Sequence, residues 1–167
     1  TDVNMQDIAN NALLKMMVQS ESEYGTCIVM EVATGKVKAI ANLGRGKNGN
    51  YDELLNYALR TTEPGSTMKL ATLMAVLEEG SSKINDLVEV GTTGQQYVAV
   101  RPVTDAERSP KAIMTVRESF AHSSNVAMGK LAYKAFAQQP DKFKSYLQKF
   151  HLEKKTGLGL VGEEPAV

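Results

Sequence analysis

The stretch EPGSTMKLATLMAVLEEG, residues 63–80, decides how the chain is read. Met68, Leu70, Ala71, Leu73, Met74, Ala75, Val76 and Leu77 follow Ser66 and leave no polar stripe. A helix apolar on every face is a buried helix. Pro64 and Gly65 lead into it, and Gly80 after Glu78-Glu79 marks its C-terminal cap. One residue is out of place. Lys69 sits one turn in, on the face it shares with Ser66 at i, i+3. A lysine in apolar surroundings is costly unless it is paired or gives up its proton. The positive end of the helix dipole also disfavours an ammonium there. A neutral amine within reach of a serine hydroxyl can take its proton, which is nucleophilic catalysis with a lysine base. Ser-x-x-Lys also arises on the order of once by chance in a chain this size, with the lysine snorkelling to solvent.

Working outward, the N-terminal side offers a helix and a hairpin. MQDIANNALLKMM, residues 5–17, carries Ile8, Leu13, Met16 and Met17 at helical spacing. GTCIVMEVATGKVKAIANL, residues 25–43, is rich in β-branched residues and is interrupted by Ala33-Thr34-Gly35-Lys36, which predicts two strands joined by a short turn. Cys27 falls in the first strand as a small hydrophobe. GRGKNGN, residues 44–50, reads as loop.

On the C-terminal side, residues 83–104 alternate weakly and read as short strands or irregular loop. Thr115 and Glu118 form the pattern of a capping box that opens TVRESFA. HSSN breaks that helix, and Ser124 or Asn125 can cap the next one, VAMGKLAYKAF, which Gln139-Pro140 stops. DKFKSYLQKF then places Phe143, Tyr146, Leu147 and Phe150 on one stripe, read as packing. The break at Ser123-Ser124-Asn125 puts a hydroxyl and a carboxamide at an interhelical corner, able to relay a proton and bind a substrate amide, or simply to cap a helix. Ser-x-x-Lys and Ser-x-Asn each occur once.

Composition narrows the field. The 167 residues suffice for one domain or a piece of a larger one. Lys plus Arg and Asp plus Glu are 19 each, so the net charge is zero and the basic footprint of a nucleic-acid binder is missing. No apolar run is long enough to span a membrane. The single Cys27 excludes an internal disulfide and a cysteine zinc site, and His122 and His151 are too far apart in sequence to suggest a metal, so no metal or other cofactor is expected. The chain opens at TDVNMQDIANN in what reads as a helix, without a leader pattern, and is expected to be excised from a longer protein.

With these residues in view, a family resemblance emerges. EPGSTMK, LEEG and TVRESFAHSSNVAMGKLA resemble the transpeptidase domain of class B penicillin-binding proteins of the division or elongation type. The hairpin YGTCIVMEVATGKVKAIANL, the approach NYALRTTEPGSTMK and the segment KTGLGLVGEEP are similar to landmarks of the same family, so the resemblance covers the whole chain. It implies that Ser66 is the acylated nucleophile, Lys69 its base, Ser123 a proton shuttle toward the leaving amine and Asn125 a substrate-binding group. The oxyanion hole would then use the Ser66 N–H and one from a later strand. The resemblance further implies a D-Ala-D-Ala transpeptidase that cross-links peptidoglycan stem peptides, is acylated by β-lactam antibiotics and works with other cell-wall synthesis proteins. It would lie in the periplasm as the extracytoplasmic domain of a membrane-anchored protein, with the anchor outside the chain.

Lys155-Thr156-Gly157 spells the family's third motif, but only about thirty residues after Ser123 and without a strand pattern around it. Gly157 is expected instead to cap a short helix. The expected fold is therefore α+β, an incomplete penicillin-binding protein and serine β-lactamase-like transpeptidase fold with an N-terminal β-hairpin and a helical subdomain. Residues 1–167 are read as the N-terminal portion of a transpeptidase domain, its Lys-Thr-Gly strand region absent. Such a portion is expected to acylate slowly and to self-associate through an unpaired edge of the hairpin. A serine β-lactamase, a penicillin-sensing receptor domain and a helical interaction module with coincidental motifs remain the alternatives. A water-activating Glu would mark the first and an upstream signalling span the second.

Overall fold

The computed structural model describes residues 1–164, whose packing divides them into two units. The first unit holds Thr1–Thr61 and the tail from Lys155, the second Thr62–Lys154. Helix and sheet are mixed in both, giving the expected α+β class.

In the first unit, α1 (Val3–Ser20) begins where the Asp2 carboxylate accepts the Met5 N–H. The predicted hairpin is present as β1 (Tyr24–Met30) and β2 (Val37–Arg45), antiparallel with Cys27 opposite Ala41 and Ile28 opposite Ile40. Alternation along β1 turns Gly25, Cys27 and Val29 inward, and Ala9 and Leu13 of α1 pack with Cys27, Val29, Ala39 and Ala41. A short third strand, β3 (Tyr51–Asp52), pairs with the end of β2, so the sheet runs β1-β2-β3. The loop read for residues 44–50 gives its first two residues to β2, and β3 begins just after it.

The outer edge of β2 is not bare. The Gln6 side chain donates to the Ile40 carbonyl (2.8 Å) and accepts the Ile40 N–H (3.0 Å), while the Asp2 N–H donates to the Lys38 carbonyl (2.7 Å). Helix α1 thus occupies backbone groups that a further strand would otherwise take. Strand β1 stays at the sheet's edge, with Tyr24, Ile28 and Met30 exposed.

In the second unit, a 3₁₀ turn (Gly65–Thr67) runs directly into α2 (Met68–Glu78). Two-stranded pairs follow, β4 (Leu87–Glu89) with β7 (Ile113–Thr115) and β5 (Gln95–Val98) with β6 (Arg101–Thr104). Helices α3 (Val116–Ala121), α4 (Asn125–Phe136) and α5 (Pro140–Lys149) complete it. The core joins Leu73, Ala75 and Val76 of α2 to Val88, Met114, Val116, Val126, Leu131, Phe136 and Tyr146. Phe143 and Tyr146 pack on Phe136, as the aromatic stripe of α5 predicts. The Glu79 carboxylate, at the end of α2, accepts the Tyr146 hydroxyl (3.0 Å) and pairs with Lys142. Hydrogen bonding from Lys142 lowers the Glu79 pKa and in turn raises that of Lys142.

Two expectations need correction. Helix α2 is buried on one side only: Ala71, Leu73, Ala75 and Val76 are inside, whereas Leu70 and Met74 are 53% and 46% exposed. With Pro64, Met68, Phe150 and Leu152 they line an open apolar groove of about 520 Å³. No helix forms before Gly157 either. Helix α5 already stops at Phe150, where the N–H groups of His151 and Leu152 return to the carbonyls of Gln148 and Leu147 (both 3.0 Å). His151, at φ 60°, takes the left-handed position that usually falls to glycine.

Candidate active site

Two local arrangements bring the polar residues together, and both lie in the second unit. The first is the turn before α2. Ser66 occupies its middle, the Thr67 hydroxyl donates to the Pro64 carbonyl (2.6 Å), and Lys69 follows in the first turn of α2. The i, i+3 offset puts the Lys69 Nζ 2.9 Å from the Ser66 Oγ. Lys69 is half-buried rather than enclosed, and Ser66 is exposed, so the site is an open one.

The second is the corner between α3 and α4. Thr115 and Glu118 form the predicted capping box: the Glu118 N–H donates to the Thr115 Oγ1 (3.1 Å) and the Thr115 N–H to the Glu118 carboxylate (2.8 Å). Hydrogen bonding from Lys111 first, then from Thr115, lowers the Glu118 pKa to about 2. At its far end α3 closes with the Ser123 N–H on the Phe120 carbonyl (2.9 Å) and the Ser124 N–H on the Ser119 carbonyl (3.0 Å), a Schellman ending with Ser123 at φ 53°. Ser124 then caps α4, its Oγ accepting the Ala127 N–H (3.0 Å). Sequence alone left Ser124 and Asn125 as rival caps.

The two arrangements meet. The Lys69 ammonium donates to the Ser66 Oγ, the Ser123 Oγ (2.9 Å) and the Ser123 carbonyl (2.6 Å), and the Ser123 Oγ donates to the Ser66 Oγ (3.1 Å). Three donors find three acceptors, which satisfies the ammonium fully. When Lys69 is neutral it has a lone pair for the Ser66 proton, and the Ser123 hydroxyl touches both partners. Asn125, two residues after Ser123, donates its Nδ2 to the Thr104 carbonyl (2.7 Å).

Sequence reasoning missed two residues. Asp105 accepts the Ser124 hydroxyl (2.9 Å) and the Val126 N–H (3.0 Å), and Thr104 supplies the carbonyl that holds Asn125. Thr104 ends, and Asp105 follows, a segment read only as weakly alternating, and no local pattern ties them to a corner about twenty residues on. Lys155-Thr156-Gly157 lies outside every strand, in the first unit. Among the described residues no group of three or more His, Cys, Asp or Glu is placed to hold a metal ion, and no helix is long and apolar enough to cross a membrane.

Known proteins resemble the chain along most of its length. The family model described as the penicillin binding protein transpeptidase domain matches residues 25–167. The peptidoglycan D,D-transpeptidase FtsI of Buchnera aphidicola is 28% identical over 169 residues, covering 98% of this chain and 28% of that protein. Penicillin-binding protein PbpB of Mycobacterium tuberculosis is 31% identical over 146 residues, covering 83% of this chain and 21% of its own length. The chain therefore spans only 28% and 21% of the lengths of these two curated relatives. Among solved structures, penicillin binding protein 3 of M. tuberculosis complexed with ampicillin superposes with a TM-score of 0.82 at 28% identity, over 98% of this chain and 37% of that one.

Proposed function

The chain belongs to the penicillin-binding protein transpeptidase domain family, and from that premise we propose that it carries the nucleophile end of a serine D,D-transpeptidase centre. Ser66 is the nucleophile, Lys69 its base, Ser123 the shuttle and Asn125 a substrate-binding group. The observation that carries this reading is the triangle of Ser66, Lys69 and Ser123, closed by hydrogen bonds of 2.9–3.1 Å.

The chemistry follows from those contacts. Neutral Lys69 takes the Ser66 proton as Oγ bonds to the carbonyl carbon of a D-Ala-D-Ala stem peptide. The tetrahedral adduct collapses, the C–N bond to the terminal D-Ala breaks, and the proton passes from Lys69 through the Ser123 hydroxyl to the leaving amine. An acyl-Ser66 ester remains. The amine of a second stem peptide then attacks it, returns a proton through the same relay and restores the Ser66 hydroxyl, leaving the two peptides cross-linked. A β-lactam ring opens onto Ser66 in the first of these steps. We take residues 1–167 as the N-terminal portion of that transpeptidase domain, in a membrane-anchored protein whose domain lies outside the cytoplasm and works beside other cell-wall synthesis proteins.

The test is acylation of the full-length protein by benzylpenicillin, followed by intact mass and peptide mapping. One adduct on Ser66 is expected, with none in Ser66→Ala. Lys69→Met is expected to slow its formation on the order of 10²–10⁴-fold, the usual range for a lost general base. Labelling of Lys69→Met at the wild-type rate would end the reading.

A further inference from the structure

Ser123 pays a conformational penalty: a non-glycine residue at φ 53° is strained, and such strain persists only where the surroundings over-determine it. Helix α4 does not need more than Ser124 to cap it, yet a second acceptor arrives from a different element. Asp105, just past the end of β6, grips the residues on both sides of Asn125: one carboxylate oxygen accepts the Ser124 hydroxyl and the other the Val126 N–H. Ser124 is only 2% exposed, so its hydroxyl is shielded from competing water.

Asp105 is itself anchored. Its N–H donates to the Gly94 carbonyl (2.8 Å), tying it across the β5–β6 hairpin. The hairpin in turn lies close on α4, where a Cβ added at Gly129 would sit 3.2 Å from the Val98 Cγ2. A side chain there would need Val98 to give by a few tenths of an ångström. The adjoining Thr104 carbonyl fixes the Asn125 amide.

From these contacts we propose that Asp105 is a positioning residue for the proton shuttle, holding the 123–126 corner so that the Ser123 Oγ and carbonyl stay on Lys69. It touches neither substrate nor Ser66. Without it the corner can relax toward ordinary backbone angles, and the Ser123 hydroxyl, last in that line, swings off the triangle. The proposal rests on the acyl-serine reading above.

The experiment measures acylation of the full-length protein by benzylpenicillin under rapid mixing, separating the binding constant of the first complex from the rate of bond formation. Asp105→Ala is expected to lower the bond-forming rate on the order of 10²-fold while binding changes little, as for a catalytic group displaced by about an ångström. Asp105→Asn, which keeps one acceptor oxygen in the same place and guards against a folding failure, is expected to recover much of that loss. If Asp105→Asn and Asp105→Ala both acylate at the wild-type rate, the proposal is overturned. It is equally overturned if the lost rate only tracks the lost folded fraction. Wild-type protein that takes up no penicillin would instead sink the acyl-serine reading, and this inference with it.

Discussion

Helices α2 and α3 end in the same way with different residues. After α2 the Gly80 N–H returns to the Leu77 carbonyl (3.0 Å), and after α3 the Ser123 N–H returns to the Phe120 carbonyl (2.9 Å). Both residues are left-handed, Gly80 at φ 73° and Ser123 at φ 53°. At Gly80 an added Cβ would meet nothing within 4 Å, so glycine is there for its backbone freedom alone. At the end of α3 the same freedom is given up, at a cost of about 1–2 kcal/mol, for a side chain with a hydroxyl. What distinguishes the two ends is who waits at the corner. Ser123 meets Lys69 and Ser66, whereas after Gly80 the Ser81 hydroxyl donates to the Val76 carbonyl (3.4 Å) and the Ser82 hydroxyl accepts from Lys134 (3.1 Å). His151 guards against over-reading, since it is left-handed too and only ends α5. Strain marks a site when reactive groups converge on it, and not otherwise.

The sharpest way to break this comparison is to make the two ends alike. Ser123→Gly is expected to relieve the backbone while removing the hydroxyl. Thermal unfolding should then show a gain of about 1 kcal/mol, while acylation of Ser66 by benzylpenicillin falls on the order of 10²-fold. If the rate holds, Ser123 is a helix ending and nothing more. The reverse exchange, Gly80→Ser, sharpens the contrast. It is expected to cost about 1–2 kcal/mol in urea unfolding and to leave acylation untouched.

A smaller effect comes from the opposite end of α3. The folded-state pKa of Glu118, about 2, lies below its ordinary 4.5. A depressed carboxylate contributes its full stability above about pH 4.5, and that contribution is lost as pH falls through about 2. The Glu118 side chain is 41% exposed, so solvent screening keeps the effect modest. The melting-temperature difference between wild type and Glu118→Gln is expected to shrink steadily from pH 5 toward pH 2. A constant difference would remove the carboxylate's charge from the account of the capping box.

How far the sequence reached follows from how local each feature is. Ser66 and Lys69 are one helical turn apart, and Thr115 and Glu118 obey a four-residue rule, so chain geometry alone joins each pair. The hairpin was readable for the same reason, its strands being joined by a short turn. The meeting of Ser123 with Lys69, 54 residues earlier, was reachable only through the family resemblance, since the residues alone left the 123–125 corner as either a relay or a cap. Asp105 and Thr104 had no such signal. An aspartate after a strand looks like any turn residue until folding sets it against a corner twenty-one residues away at Val126. The open side of α2 was misjudged because apolar residues all round a helix state what it would bury, not what is present to bury it. Gln6 is the plainest case of tertiary override, an amide on a solvent-facing helix that serves as a strand neighbour for Ile40.

That last contact makes Ile40 a clock. Its amide proton is guarded by a side chain on α1 rather than by a neighbouring strand, so deuterium can reach it whenever α1 lifts, with the sheet still intact. The amide of Ala41, opposite Cys27 in the hairpin, lies on the other edge of β2 and answers instead to the parting of β1 from β2. Two adjacent backbone positions thus keep separate time for two different openings of the first unit.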